Sequence, residues 1–110
     1  MVEVKLQIQV NRNGRPFLDS SKVRLLEKVH RFGSLRIAAR EVQCSYQHAW
    51  DTINAVNRAA SQPVVLKQRG GAGGGGAQLS EHGRRILGEF NSIEKLVQSF
   101  TKKLNTEIEI

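Results

Sequence analysis

The first stretch of the chain alternates apolar and polar residues with a period of two. The apolar members are Val2, Val4, Leu6, Ile8 and Val10. Such alternation predicts a half-buried strand over residues 2–10. A turn is predicted at Asn11–Gly14, because Asn and Gly tolerate positive φ angles. Residues 15–18 predict a short returning strand, which Pro16 restricts to the edge of a sheet.

The pattern changes to a helical period after residue 18. It predicts three helices, each preceded by a capping side chain: one from Asp19 or Ser20 to Gly33, one from Ser34 to about Val42, and one from Ser45 to about Ser61. Gln43 and Cys44 form the turn between the second and third helices, and this spacing fits a helix-turn-helix. The apolar face of the third helix consists of Ala49, Ile53, Val56 and Ala60.

A glycine-rich hairpin is predicted after the third helix. A short apolar strand, Val64–Arg69, leads into Gly70–Ala77, which holds six of the ten glycines of the chain. A second short strand follows at Gln78–Leu79, and Ser80 caps a last helix. A helix followed by a strand, a glycine tip, a strand and another helix is the layout of a recognition helix with a β-wing, which is suited to lie on DNA.

The last helix, predicted to end at about Leu104, carries apolar residues at alternating spacings of four and three. These residues are Ile86, Phe90, Ile93, Val97, Phe100 and Leu104. Part of this seam must pack on its own domain, but the helix projects beyond a small domain, so we expect the seam to form a homodimer interface. The predicted fold is mainly α-helical with a small β-wing and an N-terminal hairpin. It comprises a winged helix-turn-helix domain over 1–79, a dimerisation helix over 80–105 and a tail over 106–110.

The charge balance of the chain indicates a polyanionic partner. Its 17 Lys and Arg residues against 10 Asp and Glu residues give a formal net charge of +7. Phosphate backbones attract such a surface, although an acidic protein or an anionic membrane would be attracted as well. The single cysteine, Cys44, is typical of a reducing cytosol. We expect a cytoplasmic protein without a membrane partner, because neither a signal peptide nor an apolar run of about 20 residues is present.

Several segments together resemble a known family. They are Gly33-Ser-Leu, Ser45-Tyr-Gln-His-Ala-Trp-Asp-Thr-Ile-Asn, Arg69-Gly-Gly-Ala-Gly-Gly-Gly-Gly-Ala-Gln-Leu-Ser and Gly83. Over roughly residues 4–100 the sequence resembles the N-terminal DNA-binding domain of the molybdate-responsive ModE regulators, which is itself similar to the winged helix of LysR-type regulators. The resemblance implies that a homodimer binds double-stranded DNA.

Two departures from this family limit what the resemblance implies. The family usually has Gly where this chain has Gln43, and a left-handed conformation there would cost about 1 kcal/mol. ModE proteins also carry C-terminal molybdate-binding domains, to which nothing in this sequence corresponds. We therefore expect no molybdate binding, no cofactor and no small-molecule effector in this chain.

The predicted helix-turn-helix supplies most of the candidate DNA contacts. They are Ser34 and Arg36 on the second helix, and Ser45, Tyr46, Gln47, His48, Trp50, Asp51, Asn54 and Arg58 on the third. Gln and Asn can pair with adenine, Asp can accept from cytosine, and helix N-termini bind phosphate. The alternative is a solvated helix face on which the serines act only as caps. Periodicity leaves Trp50 equally open to a half-buried position and to a thymine or sugar contact.

The predicted wing supplies the other candidate contacts, which are Lys67, Arg69, Gly71, Gly73 and Gly74. Glycine lets backbone N–H groups approach phosphates or the minor groove without a side-chain clash. A flexible hairpin tip is the alternative, and a nucleotide-binding loop is disfavoured because no Gly-Lys-Ser/Thr follows. ModE-type wings often carry Lys where this chain has Ala72, so Lys67 and Arg69 must supply the charge.

Metal and catalytic sites are not indicated by the sequence. Cys44 and His48 are spaced i, i+4, but a metal site would need two more ligands, and His30 and His82 lie on other elements. No Ser/His/Asp or paired-carboxylate constellation stands out, so we do not expect an enzyme.

Two functions remain after these exclusions. The first is a sequence-specific DNA-binding transcription regulator that acts as a homodimer on a pseudo-palindromic site. The alternative is a winged-helix protein-interaction module that heterodimerises with or modulates another regulator. Gln47, Asp51 and Ala72 make the presumed DNA face less basic than it could be, which keeps this alternative open.

Overall fold

The computed structural model describes residues 1–68 and 76–110, in which four helices accompany two small antiparallel sheets. In chain order the elements are β1 (Gln9–Arg12), β2 (Arg15–Asp19), α1 (Ser20–Phe32), α2 (Leu35–Glu41), α3 (Tyr46–Ala59), β3 (Val65–Lys67), β4 (Ala77–Leu79) and α4 (Glu81–Glu107). The expectation of a mainly helical chain with two small hairpins is confirmed. None of the described helices is long and apolar enough to cross a membrane.

The first hairpin is closed by a two-residue turn. Asn13 and Gly14 have φ angles of 54° and 77°, and a turn with two positive φ angles matches the twist of the flanking strands. Pro16 pairs with Asn11, and the register shifts between Val10 and Asn11. Because Pro has no N–H to donate, the irregular position of the ladder is where a strand can accommodate it.

The strand predicted over residues 2–10 is wrong in its extent, because β1 begins only at Gln9. The partner strand β2 gives way to α1 at Ser20, so the residues before Gln9 have no strand opposite them in this sheet. Val4 is held differently: its N–H donates to the Asn105 side chain at 2.7 Å, and its carbonyl accepts from the same side chain at 3.0 Å. This segment therefore contacts α4 instead of extending the hairpin.

Each helix begins at a capping side chain anticipated from the sequence. Asp19, Ser34, Ser45 and Ser80 each accept the backbone N–H three residues further on, in α1, α2, α3 and α4 respectively. These bonds satisfy N–H groups that have no partner inside the helix. α1 ends at Gly33, whose left-handed φ of 64° lets the chain turn directly into α2.

A single apolar cluster joins all the helices and both hairpins. α1 packs against α2 and β4, and α2 packs against α3. Leu87 and Phe90 bring roughly the first three turns of α4 into this cluster, since they are 8% and 2% exposed. The rest of α4 projects from the cluster, which agrees with a chain measuring 55 × 30 × 20 Å.

The start of α4 lies directly on the chain that enters β3. A Cβ atom added to Gly83 would clash with the carbonyl oxygen of Val64. The N–H of Ser80 donates to that same carbonyl at 2.9 Å, and the Ser80 hydroxyl donates to the carbonyl of Pro63 at 2.6 Å. Gly83 is thus required by close packing, and the second hairpin is tied to α4 at its base.

Candidate nucleic-acid interface

The turn between α2 and α3 sets the angle between the two helices. Gln43 has a φ of 61°, so this residue adopts the left-handed conformation that glycine would adopt more easily. The N–H of Cys44 donates to the carbonyl of Ala39 at 3.0 Å and closes the turn. Ala38 and Ala39 are almost completely buried, which allows α2 to approach its neighbours closely.

The exposed face of α3 presents amide, carboxylate and guanidinium groups in one stripe. Gln47, Asp51 and Arg58 are exposed, and Asn54 is half-buried beside them. The Gln47 amide donates to Asp51 Oδ1 at 3.0 Å, so these two side chains hold each other in place. The stripe offers both donors and acceptors, which is the combination that base edges in the major groove recognise.

Four side chains form a cation–aromatic ladder beside this stripe, defined as Arg36, Tyr46, Trp50 and Lys67. The Arg36 guanidinium lies 4.3 Å from the centre of the Tyr46 ring. Tyr46 meets Trp50 edge to face with 6.1 Å between ring centres. The Lys67 ammonium lies 3.8 Å from the centre of the Trp50 ring. The ladder therefore connects α2, α3 and β3, and each cation is positioned by an aromatic face.

Trp50 is half-buried and packs against the apolar cluster, and its ring also carries Lys67. Periodicity alone left these two roles open, and the tertiary structure combines them. Lys67 is exposed on a three-residue strand, where its long side chain would otherwise sample many conformations.

Asn57 fixes the second hairpin to α3. Its Oδ1 accepts the N–H groups of Val64 and Val65 at 2.8 and 3.1 Å, and its Nδ2 donates to the carbonyl of Val65 at 3.0 Å. One side-chain amide therefore satisfies the N–H of Val64 and both the N–H and the carbonyl of Val65. The relative position of β3 and the polar stripe of α3 depends on this side chain, which was not among the candidates from the sequence.

The far strand of the hairpin returns to the start of α2. Ser34 pairs with Gly76 in an isolated antiparallel bridge, and the N–H of Ala77 donates to the carbonyl of Gly33 at 3.2 Å. Backbone hydrogen bonds thus attach the far strand of the hairpin to the residues that begin α2. The proposed contacts Arg69, Gly71, Gly73 and Gly74 lie outside the described residues.

Three other candidates need separate comment. Ser34 is only 5% exposed and its hydroxyl accepts the Ile37 N–H at 3.1 Å, so it caps α2, and the phosphate contact predicted for it stays a prediction. Ser45 and His48 are exposed at the beginning of α3, where the Ser45 hydroxyl accepts the His48 N–H at 3.0 Å. Cys44 and His48 line one shallow pocket, and the part of the chain that the structure describes contains no group of three metal-ligating side chains.

The predicted seam of α4 divides into a buried half and an exposed half. Phe90 is 2% exposed and belongs to the chain's own core, so its assignment to a dimer interface is corrected. Ile86 is partly buried against the same core, and Val97 and Leu104 are half-buried. The exposed apolar positions are Ile93 at 41%, Leu96 at 73% and Phe100 at 55%.

Leu96 was missed because the heptad pattern selects Val97 at this point. In the structure Val97 lines the groove against the N-terminal segment, while Leu96 faces outwards. A wider apolar stripe that includes a third heptad position would have found it.

Positive charge is concentrated away from α4. Residues 1–69 contain 12 Lys and Arg residues against five acidic residues, whereas residues 81–110 contain five of each. Among residues 1–68 and 76–110 the one ion pair joins Lys5 and Glu3 at 3.6 Å, on the exposed surface. The described cations of α2, α3 and β3 have no carboxylate partner within these ranges, so they remain free to meet an anion.

Comparison with known proteins finds no matching family model. The chain is 40% identical over 91 residues to the molybdenum transport protein ModE of Azotobacter vinelandii, covering 83% of this chain and 34% of that protein. It is 40% identical over 94 residues to the molybdenum-pterin-binding protein MopB of Rhodobacter capsulatus, covering 82% and 35%. It is 28% identical over 97 residues to the DNA-binding transcriptional dual regulator ModE of Escherichia coli K12, covering 88% and 37%.

The names of these relatives concern molybdenum and transcription. The chain spans about a third of the length of the curated relatives it matches. The sequence analysis found a resemblance to the DNA-binding domain of ModE-type regulators and expected no molybdate binding. These matches contradict that identification. MopB, named for molybdenum-pterin binding, matches 82% of the chain, as extensively as the ModE of Azotobacter vinelandii at 83%. The matches therefore do not exclude a molybdenum ligand, and they conflict with the expectation that there is no small-molecule effector.

Proposed function

We propose that this chain is a transcription regulator that binds double-stranded DNA as a homodimer and has no enzymatic activity. In this proposal α2, α3 and the β3–β4 hairpin act as a winged helix-turn-helix. The observation that carries it is the cation–aromatic ladder, which holds Arg36 and Lys67 on two different elements next to the polar stripe of α3. Cations that flank a stripe of donors and acceptors fit phosphates on either side of a groove.

The polar stripe of α3 has the role of reading bases. Gln47 lies near the helix start, which enters the major groove most deeply in helix-turn-helix proteins. Gln can pair with adenine, and Asp51 can accept from the amino group of cytosine. The hydrogen bond between them restricts both side chains before DNA arrives, which reduces the entropy lost on binding.

Dimerisation is assigned to the projecting part of α4. Ile93, Leu96 and Phe100 expose an apolar stripe on a helix whose five basic residues are nearly balanced by four acidic ones, which suits contact with protein better than contact with DNA. The first turns of α4 stay with the DNA-binding part over residues 1–79, because Leu87 and Phe90 are in its core. A pair of α4 helices would place two copies of α3 at a fixed separation, matching half-sites a whole number of helical turns apart.

A molybdenum-containing small molecule is the candidate effector, because relatives are named for molybdenum transport and molybdenum-pterin binding. The chain matches about a third of those proteins, so the effector of the whole relative need not bind within this segment. Molybdate therefore enters the test as an added component.

The test is a binding selection from random duplex DNA, performed with and without molybdate and followed by affinity measurements against salt. An enriched inverted repeat, bound about a thousandfold more tightly than bulk DNA, is the expected result. Gln47→Ala should relax the preference at one base position of each half-site, while Lys67→Gln should weaken binding to all sequences alike.

Other outcomes of this selection have definite meanings. Salt-sensitive binding without an enriched motif would contradict sequence-specific regulation. A failure to bind duplex DNA at physiological salt would favour the protein-interaction module, for which the exposed stripe of α4 is the docking face. A shift in operator affinity on adding molybdate would place the effector site within this chain.

A further inference from the structure

An open cleft lies between the turn of the first hairpin and the end of α3. It is lined by Arg12, Asn13, Arg15, Pro16, Ala55, Arg58 and Ala59. Three of these side chains are guanidinium groups and none is acidic. We call this feature the arginine cleft.

The arginine cleft gathers three positive charges, and no residue of its lining is acidic. Arg12 and Arg15 are direct partners across the two ends of the hairpin turn, and like charges in this position destabilise a strand pair. Arg58 approaches them from α3, which brings a third positive charge to the same cleft. Arg12 Nη1 donates to the carbonyl of Ala59 at 3.1 Å, so one of the three groups is already positioned against the helix end.

The place of the cleft relative to the polar stripe suggests which anion it meets. Gln47 and Arg58 stand at opposite ends of the stripe, 11 residues apart, which corresponds to about 16 Å along a helix. The major groove is about 12 Å wide, so the end of the stripe at Arg58 would reach the groove edge, where the phosphates lie.

We propose that the arginine cleft is a second phosphate-binding site, in which Arg12 and Arg15 of the N-terminal hairpin join Arg58 in clamping a phosphodiester group of the DNA backbone. This inference rests on the DNA-binding function proposed above. It gives the first hairpin a role in DNA binding, separate from the β3–β4 hairpin, and it predicts a longer footprint on each half-site. Guanidinium groups suit this task, because they donate two parallel hydrogen bonds to phosphate oxygens.

The experiment compares the wild-type protein with Arg15→Gln, with the double variant Arg12→Gln/Arg15→Gln, and with Lys95→Gln on α4 as the control. The quantity measured is the slope of log Kobs against log salt concentration for duplex DNA. One phosphodiester group contributes about 0.9 to this slope, so the double variant should reduce the slope by about 1 and Arg15→Gln by less, while Lys95→Gln should leave it unchanged. Arg15 is the main probe, since it is exposed and no hydrogen bond of its side chain is among those of the described residues.

A second arm uses inorganic phosphate without DNA. At constant ionic strength, phosphate should raise the Tm of the wild-type protein more than that of the double variant. Suppose that the variants have the salt slope of the wild type, but that phosphate raises only the wild-type Tm. The cleft would then be a site for a free oxyanion, and the phosphodiester assignment would be overturned. Equal phosphate protection of both proteins, with an unchanged slope, would overturn the site itself.

The two arms also separate this inference from the proposed function. If the wild-type protein binds no duplex DNA, the proposed function fails and the phosphodiester assignment fails with it. The anion site is then decided by the phosphate arm alone. Protection that disappears in the double variant would support it, and its absence in the wild type would overturn it.

Discussion

Asn57 on α3 exchanges two hydrogen bonds with the backbone of a single residue, Val65, accepting its N–H at 3.1 Å and donating to its carbonyl at 3.0 Å. A side-chain amide that pairs with the backbone in this way extends the short β3–β4 ladder by one partner. Because β3 has only three residues, this contact contributes a large part of what orients the hairpin. The relation connects the stability of the hairpin directly with the helix proposed to read DNA.

Replacement of Asn57 is expected to destabilise the protein strongly. Asn57→Ala leaves the buried backbone groups of Val64 and Val65 without partners, and we expect a loss of about 2–4 kcal/mol. Asn57→Asp retains both accepted hydrogen bonds but places a carboxylate oxygen against the carbonyl of Val65. Urea denaturation should therefore rank Asp between Asn and Ala at neutral pH. Equal stability of the Ala variant and the wild type would show that the Asn57 hydrogen bonds do not hold the hairpin.

Two glycines of α4 should respond to alanine in opposite directions. Gly83→Ala places a methyl group against the carbonyl oxygen of Val64, and neither backbone can move away easily, so we expect a loss of about 3 kcal/mol. Gly88 has nothing within 4 Å of an added Cβ, so Gly88→Ala should stabilise α4 by about 0.5–1 kcal/mol through helix propensity. Thermal unfolding of the two variants measures the contrast, and a similar response of both would show that the close approach at Gly83 is not tight.

Gln43 is expected to be a site of simple stabilisation. Its φ of 61° costs a residue with a side chain about 1 kcal/mol relative to glycine, although glycine also has more freedom in the unfolded chain. Gln43→Gly should therefore raise the free energy of unfolding by about 0.5 kcal/mol, and Gln43→Asn by less. Denaturant titration tests this order, and a destabilised glycine variant would mean that the Gln43 side chain makes a contact that outweighs the strain.

The contact between Lys67 and Trp50 can be isolated by a double-mutant cycle. Lys67→Gln, Trp50→Leu and the double variant should show a coupling free energy of about 0.5–1 kcal/mol, the range for an exposed cation on an aromatic face. Urea unfolding of the four proteins provides the values. A coupling free energy close to zero would mean that Trp50 does not position Lys67. The main argument for the proposed interface would then fail, even if the protein still binds DNA.

The oligomeric state should depend on the exposed stripe of α4. Leu96→Glu with Phe100→Glu puts two charges on each helix where the proposed dimer packs, and the dimer Kd should rise at least about a hundredfold. Ser99→Glu introduces one such charge per helix at an exposed polar position and serves as the control. Analytical ultracentrifugation distinguishes the outcomes. An unchanged dimer in the double variant would locate the interface elsewhere, and a monomeric wild type would contradict dimerisation.

Local signals accounted for most of the secondary structure. The caps Asp19, Ser34, Ser45 and Ser80, and the left-handed Gly33, act within a few residues of themselves, so their effects are readable from adjacent positions. The extent of the first strand was not readable in this way. A strand needs a partner opposite each residue, and the partner of residues 2–8 was removed by the start of α1 at Ser20.

The candidate interface also has one part that local sequence predicts and another part that only contacts between elements create. The polar stripe of α3 follows from a period of 3.6 residues, because its members belong to one continuous helix. The two cation–aromatic contacts, the hydrogen bonds of Asn57 to Val64 and Val65, and the arginine cleft join residues of different elements, and no periodicity connects them. The burial of Ser34 and Phe90 was not readable for the same reason, since their surroundings come from the hairpin and the core.

The sequence by itself determined where helices begin, which faces are apolar, and that the chain carries excess positive charge. Those properties depend on local backbone preferences and on composition. Only the tertiary structure decided which half of α4 is buried, which aromatic ring carries Lys67, and which arginines share a cleft. The physical reason is that these relations depend on distances between elements, which are set by close packing around Gly83, Ala38 and Ala39 and by hydrogen bonds that bridge elements.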